Sequence, residues 1–185
     1  RTRISSCFFG PIKRPPKNRD ELADDVDYYP EEYLNRLAHD GVNGLWLTIE
    51  FKDICRTRVI PEFGQDAERR LAKLRRTVER CARYGIRLYP FCIEPAALPV
   101  DSPVLKRLPD LGGHRSGKRV AVCTSGAAGR EYVEEAAHFL FSEVPGLGGL
   151  IVISVGEGFT HCYSGLVDAR TLTCPRCAAR RPWEV

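Results

Sequence analysis

Apolar residues recur along this chain in two alternating patterns. Three stretches place apolar residues three and four positions apart, as on one face of a helix, and a short continuous apolar run typical of a buried strand follows each. A fourth apolar run lies near the beginning of the sequence. The pattern therefore predicts four strands separated by three helices. The predicted strands are 4–9, 42–49, 86–91 and 150–154, and the predicted helices are 30–40, 66–84 and 129–143.

The order of these elements predicts an α/β fold. Strands that alternate with helices pair in parallel, and the helices cross over the faces of the sheet. Two arrangements satisfy this order, an open doubly wound sheet and a (β/α)8 barrel. A nucleotide-binding doubly wound sheet would carry a glycine-rich loop after its first strand, but Gly10 and Pro11 lead here into a proline- and lysine-rich segment. Long segments follow the strands and short ones precede them, which favours a parallel (β/α)8 barrel with its site at the strand ends.

Residues 1–185 are predicted to be the N-terminal half of such a barrel, its first four β/α units, with a cysteine-rich loop over 161–177. The sequence contains no methionine, and its last five residues resemble the first turn of a longer helix. We therefore expect a longer chain, in which the C-terminal half is the partner of these residues. The fragment alone is expected to be inactive.

Composition and charge argue against several classes of partner. The chain is 43% hydrophobic, and no apolar run approaches the length of a membrane span, so no membrane partner is predicted. The net charge of +4 is dispersed, and its densest basic run, 68–80, has the leucine spacing of a solvated helix. Nucleic-acid binding would need a basic patch with aromatic side chains, so no nucleic-acid partner is predicted. The eight cysteines do not suggest a disulfide framework, which favours a reducing, cytoplasmic location.

Three of the predicted strands are followed by a glutamate: Glu50, Glu94 and Glu157. The carboxyl ends of barrel strands meet at one mouth, so these side chains are predicted to converge there. Cleavage of a glycosidic bond uses carboxylates, one to protonate the leaving oxygen and another as nucleophile or base. For Glu50 and Glu94 an ordinary solvated strand end remains an open alternative. Glu157 follows the most apolar strand, and Gly156 and Gly158 beside it remove side chains that would crowd a ligand.

A second cluster of candidate residues surrounds Cys174 and Cys177. A cysteine pair with this spacing is half of a structural zinc site, and Cys162 would add a third thiolate. A thioredoxin-like redox pair is the alternative, but the preceding stretch is a weak strand. Adjacent residues do not readily chelate one ion, so His161 is predicted to point into the cleft. The fourth ligand to the predicted zinc ion is then expected to be His114 or a residue beyond the present chain.

The remaining apolar cysteines have a simpler interpretation. Cys7, Cys81, Cys92 and Cys123 lie in apolar stretches and are predicted to be small buried side chains. Trp46 lies inside an apolar strand, where core packing is favoured over a role as a stacking platform for sugars.

Several stretches of the chain also carry a resemblance. They are GVNGLWL, PEFGQDAERRLAKLRRTVERCARYGIRLYPFCIEP, VCTS and GLIVISVGEGFTHC, followed by CPRC. The most specific are Glu-x-Phe-Thr-x-Cys, from Glu157 to Cys162, and Cys-Pro-x-Cys, from Cys174 to Cys177. Together these stretches resemble a group of bacterial proteins described as glycoside hydrolases, which have (β/α)8 barrels and are distantly similar to the family 20 β-N-acetylhexosaminidases. The resemblance spans nearly the whole chain.

The resemblance implies that Glu157 occupies the position of a general acid after the fourth barrel strand. Family 20 enzymes place an Asp-Glu pair there, in which the aspartate orients the acetamido group of the substrate. Here Gly156 precedes Glu157. The motif therefore does not predict substrate-assisted cleavage of N-acetyl sugars.

Taken together, the sequence predicts a glycoside hydrolase that acts by carboxylate acid/base catalysis, with Glu157 as the acid. Glu94, His161 and Glu50 are predicted to contact the carbohydrate substrate. The second catalytic carboxylate is expected beyond the present chain. The alternative is a non-catalytic, zinc-stabilised carbohydrate-binding or structural α/β domain.

Overall fold

A computed structural model describes residues 1–6, 19–153, 158–164 and 169–185. The strands are β1 (Ile4–Ser6), β2 (Gly44–Thr48), β3 (Arg87–Cys92), β4 (Leu98–Pro99), β5 (Gly112–Ser116), β6 (Arg119–Val122) and β7 (Ile151–Val152). The α-helices are α1 (Glu31–His39), α2 (Phe51–Ile54), α3 (Ala67–Arg83), α4 (Pro103–Arg107), α5 (Ala127–Glu143) and α6 (Pro175–Ala178). Short 3-10 turns occur at Pro109–Leu111, Ala169–Thr171 and Pro182–Glu184.

The predicted strands form one four-stranded sheet in the order β1-β2-β3-β7. Strands β1 and β2 pair in parallel, and so do β2 and β3. Helices α1, α3 and α5 lie between successive strands of this sheet along the chain, so the predicted α/β order is confirmed. The order of the strands across the sheet follows the order of the chain without reversal. The predicted first strand extends to residue 9, but 7–18 lie outside the described residues.

Glycine residues end the two helices that precede β2 and β3, as the sequence predicts. Gly41 and Gly85 have left-handed backbone conformations, with φ of 74° and 68°. After α3, the N–H of Gly85 donates to the carbonyl of Ala82 (3.0 Å) and the N–H of Ile86 donates to that of Cys81 (3.1 Å). This pair of bonds satisfies carbonyl groups that the helix end would otherwise leave without a partner.

The chain divides into two compact units. The first comprises Arg1–Cys55, Gly64–Cys92 and Phe139–Ile151. Successive strand residues point to opposite faces of a sheet, and here Leu45, Leu47 and Leu88 are fully buried. Trp46 lies between Leu45 and Leu47 and so points to the opposite face of the sheet. It is half-buried there and packs against Phe91, with ring centroids 4.7 Å apart. The helices contribute further buried side chains to this core: Leu34, Leu37, Leu71, Leu74, Val78 and Cys81.

The second unit comprises Arg56–Phe63, Ile93–His138 and Val152–Val185. It contains an antiparallel sheet of order β4-β6-β5. The sequence analysis predicts no strand between 91 and 129, where it expects a long loop after the third strand, and this expectation is wrong for the stretches that form β4, β5 and β6. Strand β5 has the sequence GGHRS, which contains two glycines and no apolar alternation, so its strand conformation comes from pairing with β6 rather than from local preference.

Membrane insertion by a helix has no support in the part of the chain that the structure describes. None of the helices found there is both long and apolar enough to span a bilayer.

Candidate metal centre

Four buried cysteines of the second unit bring their sulfur atoms together. Cys123, Cys162, Cys174 and Cys177 have Sγ atoms within 4.8 Å of one another, and no side chain of the four is more than 1% exposed. The Sγ of Cys123 lies 3.6 Å from that of Cys174 and 3.7 Å from that of Cys177. A tetrahedral site with metal–sulfur bonds of about 2.3 Å has sulfur–sulfur edges of about 3.8 Å. The dimensions of the cluster therefore fit a metal ion coordinated by four thiolates.

Cys123 is the member of this cluster that the sequence analysis did not predict as a ligand. It directly follows β6 and is fully buried, as the apolar stretch predicts, but its sulfur faces three other thiols. Cys162 lies far along the chain, and no short motif links the two positions. His114, one of the two alternatives expected for the fourth ligand, is not in this set, and its Nδ1 accepts a hydrogen bond from the backbone N–H of Thr173 (3.0 Å).

Two of the other cysteines have the buried positions that the sequence predicts. Cys81 and Cys92 are each 0% exposed. Cys7 lies outside the described residues.

A bulge in β5 shapes one side of the cluster. Gly112 pairs with Val122 and Arg115 pairs with Val120, so β5 has one more residue than β6 in this interval. A bulge disrupts the ladder locally and redirects the groups of the extra residue. His114 lies in this interval, and its backbone N–H donates to a sulfur of the cluster instead of continuing the ladder.

That sulfur belongs to Cys162. The N–H of His114 lies 3.2 Å from Cys162 Sγ, and the preceding residue, Gly113, leaves the space that the sulfur occupies. A Cβ atom at Gly113 would lie only 2.3 Å from Cys162 Sγ. The glycine and the bulge therefore together admit the Cys162 side chain to the cluster.

Gly113→Ala is expected to disrupt the metal centre, because the added methyl group would overlap Cys162 Sγ. Overpacking of this kind typically costs about 1–3 kcal/mol, and we expect the cluster to bind added metal, with zinc as the probe, less tightly because the sulfur must move. Gly112→Ala is the control in the same strand, since its Cβ would lie 3.3 Å from its nearest neighbours. Zinc titration and urea denaturation measure both effects. Equal zinc affinity in the two variants would contradict the packing role of Gly113.

The Cys174–Cys177 pair lies at the start of α6. Cys174 precedes the first helical residue, Pro175, and the carbonyl of Cys174 accepts a hydrogen bond from the N–H of Ala178 (2.9 Å). Residues three apart lie on one face of such a turn, which directs both sulfurs to the same side. The hydroxyl of Tyr163 contacts the carbonyl oxygen of Cys177 (3.1 Å) and so ties the neighbour of Cys162 to this turn.

The surroundings of this pair favour a metal site over a redox disulfide. A thioredoxin-like motif needs a strand just before it and a sustained helix after it, whereas α6 has four residues and a 3-10 turn, Ala169–Thr171, precedes it. Two further thiols also contact the pair, which a dithiol redox centre does not require.

The thiols of the cluster differ in their pKa values. A hydrogen bond from Cys162 lowers the pKa of Cys123 to about 4, with a smaller contribution from Arg176, and the same bond raises the pKa of Cys162. Burial raises the pKa of Cys177 to about 11. A metal ion that bound all four as thiolates would displace the remaining protons, so binding would strengthen as pH rises.

His161 and Glu94, two of the predicted substrate contacts, also belong to the second unit. The Nδ1 of His161 accepts a hydrogen bond from the N–H of Tyr163 (3.1 Å), so the neutral ring carries its proton on Nε2. Burial lowers the pKa of His161, which favours this neutral form. Glu94 is 4% exposed, and its Oε2 accepts a hydrogen bond from the N–H of Ala96 (2.7 Å).

The other two predicted site residues are placed differently. Glu50 belongs to the first unit, where it precedes α2 and its Oε2 lies 2.6 Å from Lys52 Nζ. Glu157 and the glycine before it lie outside the described residues. The convergence of the three glutamates at one barrel mouth therefore stays a prediction.

Gly158 has a packing role that the sequence did not indicate. A Cβ atom at this position would lie 2.1 Å from Cγ2 of Ile93. Close packing against the residue before Glu94 thus gives one reason for a glycine at this position, and the room that Gly158 would leave for a ligand stays a prediction.

Comparison with models of known protein families gives no match, and comparison with curated protein sequences gives none either. The relationship to glycoside hydrolases accordingly stays a prediction from the motifs of the sequence.

Proposed function

We propose that this chain binds one zinc ion through Cys123, Cys162, Cys174 and Cys177, and that the ion has a structural role. The observation that carries this proposal is the buried cluster of four sulfur atoms with tetrahedral spacing. Zinc readily takes four thiolate ligands, and a fully ligated, buried ion has no open position for water or substrate. An iron centre is the other common occupant of four thiolates, and elemental analysis separates the two.

The ion would join three parts of the second unit. Cys123 follows β6, Cys162 lies in the segment 158–164, and the remaining ligands lie at α6. The segment 158–164 immediately follows Glu157 in sequence, so a metal ion bound at Cys162 would restrain the chain next to the proposed catalytic residue. Thiolate ligands must stay reduced, which supports a reducing compartment such as the cytoplasm.

The purified chain is expected to contain about one zinc ion, and its stability should follow the concentration of free zinc. A ligand that binds only the folded state adds about 1.4 kcal/mol to the unfolding free energy for each tenfold increase of its concentration above Kd. Elemental analysis and urea denaturation in zinc buffers measure both quantities. The proposal would be refuted if the purified protein contained no metal and if its urea denaturation midpoint did not change with the zinc concentration.

We further propose that the activity of the longer chain is hydrolysis of a glycosidic bond, with Glu157 as general acid and a carbohydrate as substrate. The C-terminal half of the same chain would complete the barrel and supply the second carboxylate. Two observations support this proposal. The sheet order follows the chain without the reversal of a doubly wound sheet, and Glu94 places a buried carboxylate two residues after the end of β3.

The non-catalytic alternative, a zinc-stabilised carbohydrate-binding or structural domain, draws its support from the cysteine cluster alone. Assay of the full-length chain on aryl glycosides separates the alternatives. Hydrolysis that depends on Glu157 would support the enzyme, and binding of sugars without hydrolysis would support the alternative.

A further inference from the structure

The arginine inside the Cys-Pro-Arg-Cys motif directs its side chain at the metal centre. The Nε–H of Arg176 donates to Cys123 Sγ (3.4 Å). The other side of the guanidinium is held by the chain that leads into β5. Its Nη2 donates to the carbonyl oxygens of Gly112 (2.6 Å) and Asp110 (2.9 Å). Arg176 therefore connects α6, the Cys123 sulfur and β5 through one planar group.

The positive charge of Arg176 also lies next to a group that would be negatively charged when metal is bound. Four thiolates around a divalent ion carry a net charge of −2, and a buried charge is costly unless it is paired and hydrogen-bonded. Arg176 brings one positive charge into contact with this group. The carboxylate of Asp110 lies 3.5 Å from Arg176 Nη1, but its side chain is 90% exposed, so solvent weakens its competition for the guanidinium.

We infer that Arg176 is a positioning residue of the metal centre, which raises its zinc affinity by orienting the Cys123 sulfur and compensating the charge of the four thiolates. The inference rests on the proposed zinc site. Groups that hydrogen-bond metal ligands typically change metal affinity by about 10–100-fold when they are removed.

A purely structural role would have a different signature. If Arg176 served only to tie α6 to the carbonyl groups before β5, its removal would destabilise the metal-free chain without changing the electronic properties of the centre. The experiment must therefore report on the sulfur–metal bond as well as on stability.

The experiment compares the purified chain with Arg176→Gln, Arg176→Lys and a control, Arg180→Gln. Arg180 lies in the same region, and its side chain donates a long bond from Nη1 to the carbonyl oxygen of Glu184 (3.4 Å). Zinc Kd is measured by competition with a chelator. The thiolate-to-metal charge-transfer bands are recorded after substitution with Co²⁺, and the unfolding free energy of each metal-free variant is measured separately.

We expect Arg176→Gln to raise the zinc Kd by about 10–100-fold and to shift the Co²⁺ bands. Arg176→Lys should lose less affinity than Arg176→Gln, because lysine keeps the positive charge. It should still bind zinc less tightly than the parent chain, because lysine lacks the planar group that spans the sulfur and the carbonyl oxygens. Arg180→Gln should match the parent chain. If Arg176→Gln does not fold, an intermediate Kd and shifted bands in Arg176→Lys support the same conclusion.

Two results would overturn the inference. The first is a zinc Kd within twofold of the parent chain in both Arg176 variants, and the second is lower stability of the metal-free variants with unshifted Co²⁺ bands. Either result leaves zinc binding by the parent chain intact. A parent chain that binds no zinc would instead refute the proposed zinc site, and the inference with it.

Discussion

Cys123→Ser is expected to abolish tight zinc binding and to destabilise the second unit severely. A serine hydroxyl is a poor zinc ligand, so the ion would keep three thiolates and an open position in a site that otherwise excludes water. Losses above about 4 kcal/mol occur for a few causes, and loss of a bound metal is one of them. Zinc content, zinc Kd and the unfolding free energy of the purified variant measure the effect.

Cys81→Ser is the matched control for this substitution. Cys81 is as buried as Cys123, and burial raises the pKa of its thiol to about 12, but it lies in α3 of the first unit and not in the cluster. It should retain one zinc ion per chain with an unchanged Kd. Cys174→Ser should resemble Cys123→Ser. If Cys123→Ser kept the parent zinc affinity, the fourth ligand would lie elsewhere and the assignment of Cys123 would be wrong.

The second large effect is the one that the proposed glycosidase activity of the longer chain predicts for Glu157→Gln. Glutamine keeps the shape of the side chain but cannot deliver a proton to the leaving oxygen. Loss of general acid catalysis typically costs about 10²–10⁴-fold in rate. The loss should be greatest for natural glycosides with poor leaving groups and much smaller for an activated aryl glycoside, whose leaving oxygen hardly needs the proton. Steady-state kinetics with both substrate types measure this difference.

Two further variants separate proton transfer from other effects. His161→Ala should weaken binding of both substrate types equally, because the Nε2–H of the neutral ring is proposed to contact a sugar hydroxyl. Glu62→Gln alters an exposed ion pair with Arg107 (2.9 Å) and should retain parental kinetics. Equal rates for Glu157→Gln and the parent enzyme on both substrates would show that Glu157 is an ordinary solvated residue.

Part of this molecule could be predicted from sequence because the relevant physics is local. Helical spacing of apolar residues locates α1, α3 and α5, and glycines mark the ends of the first two because a left-handed residue disfavours other side chains. The Cys174–Cys177 pair could also be predicted from the sequence, since both ligands come from one turn. The proposed general acid Glu157 also comes from sequence alone.

The rest depends on residues that only the tertiary structure brings together. From sequence, Cys123 is predicted to be an ordinary buried cysteine. In the structure, β6 and α6 place its sulfur beside three others. Strand β5 has no apolar alternation, yet pairing with β6 fixes it, and its bulge presents the His114 N–H and the Gly113 space to Cys162. Sequence alone determined the βα order and three of the four members of the cysteine cluster, Cys162, Cys174 and Cys177. Packing between distant segments decided the fourth ligand, because a tetrahedral site depends on distances in space that no local spacing encodes.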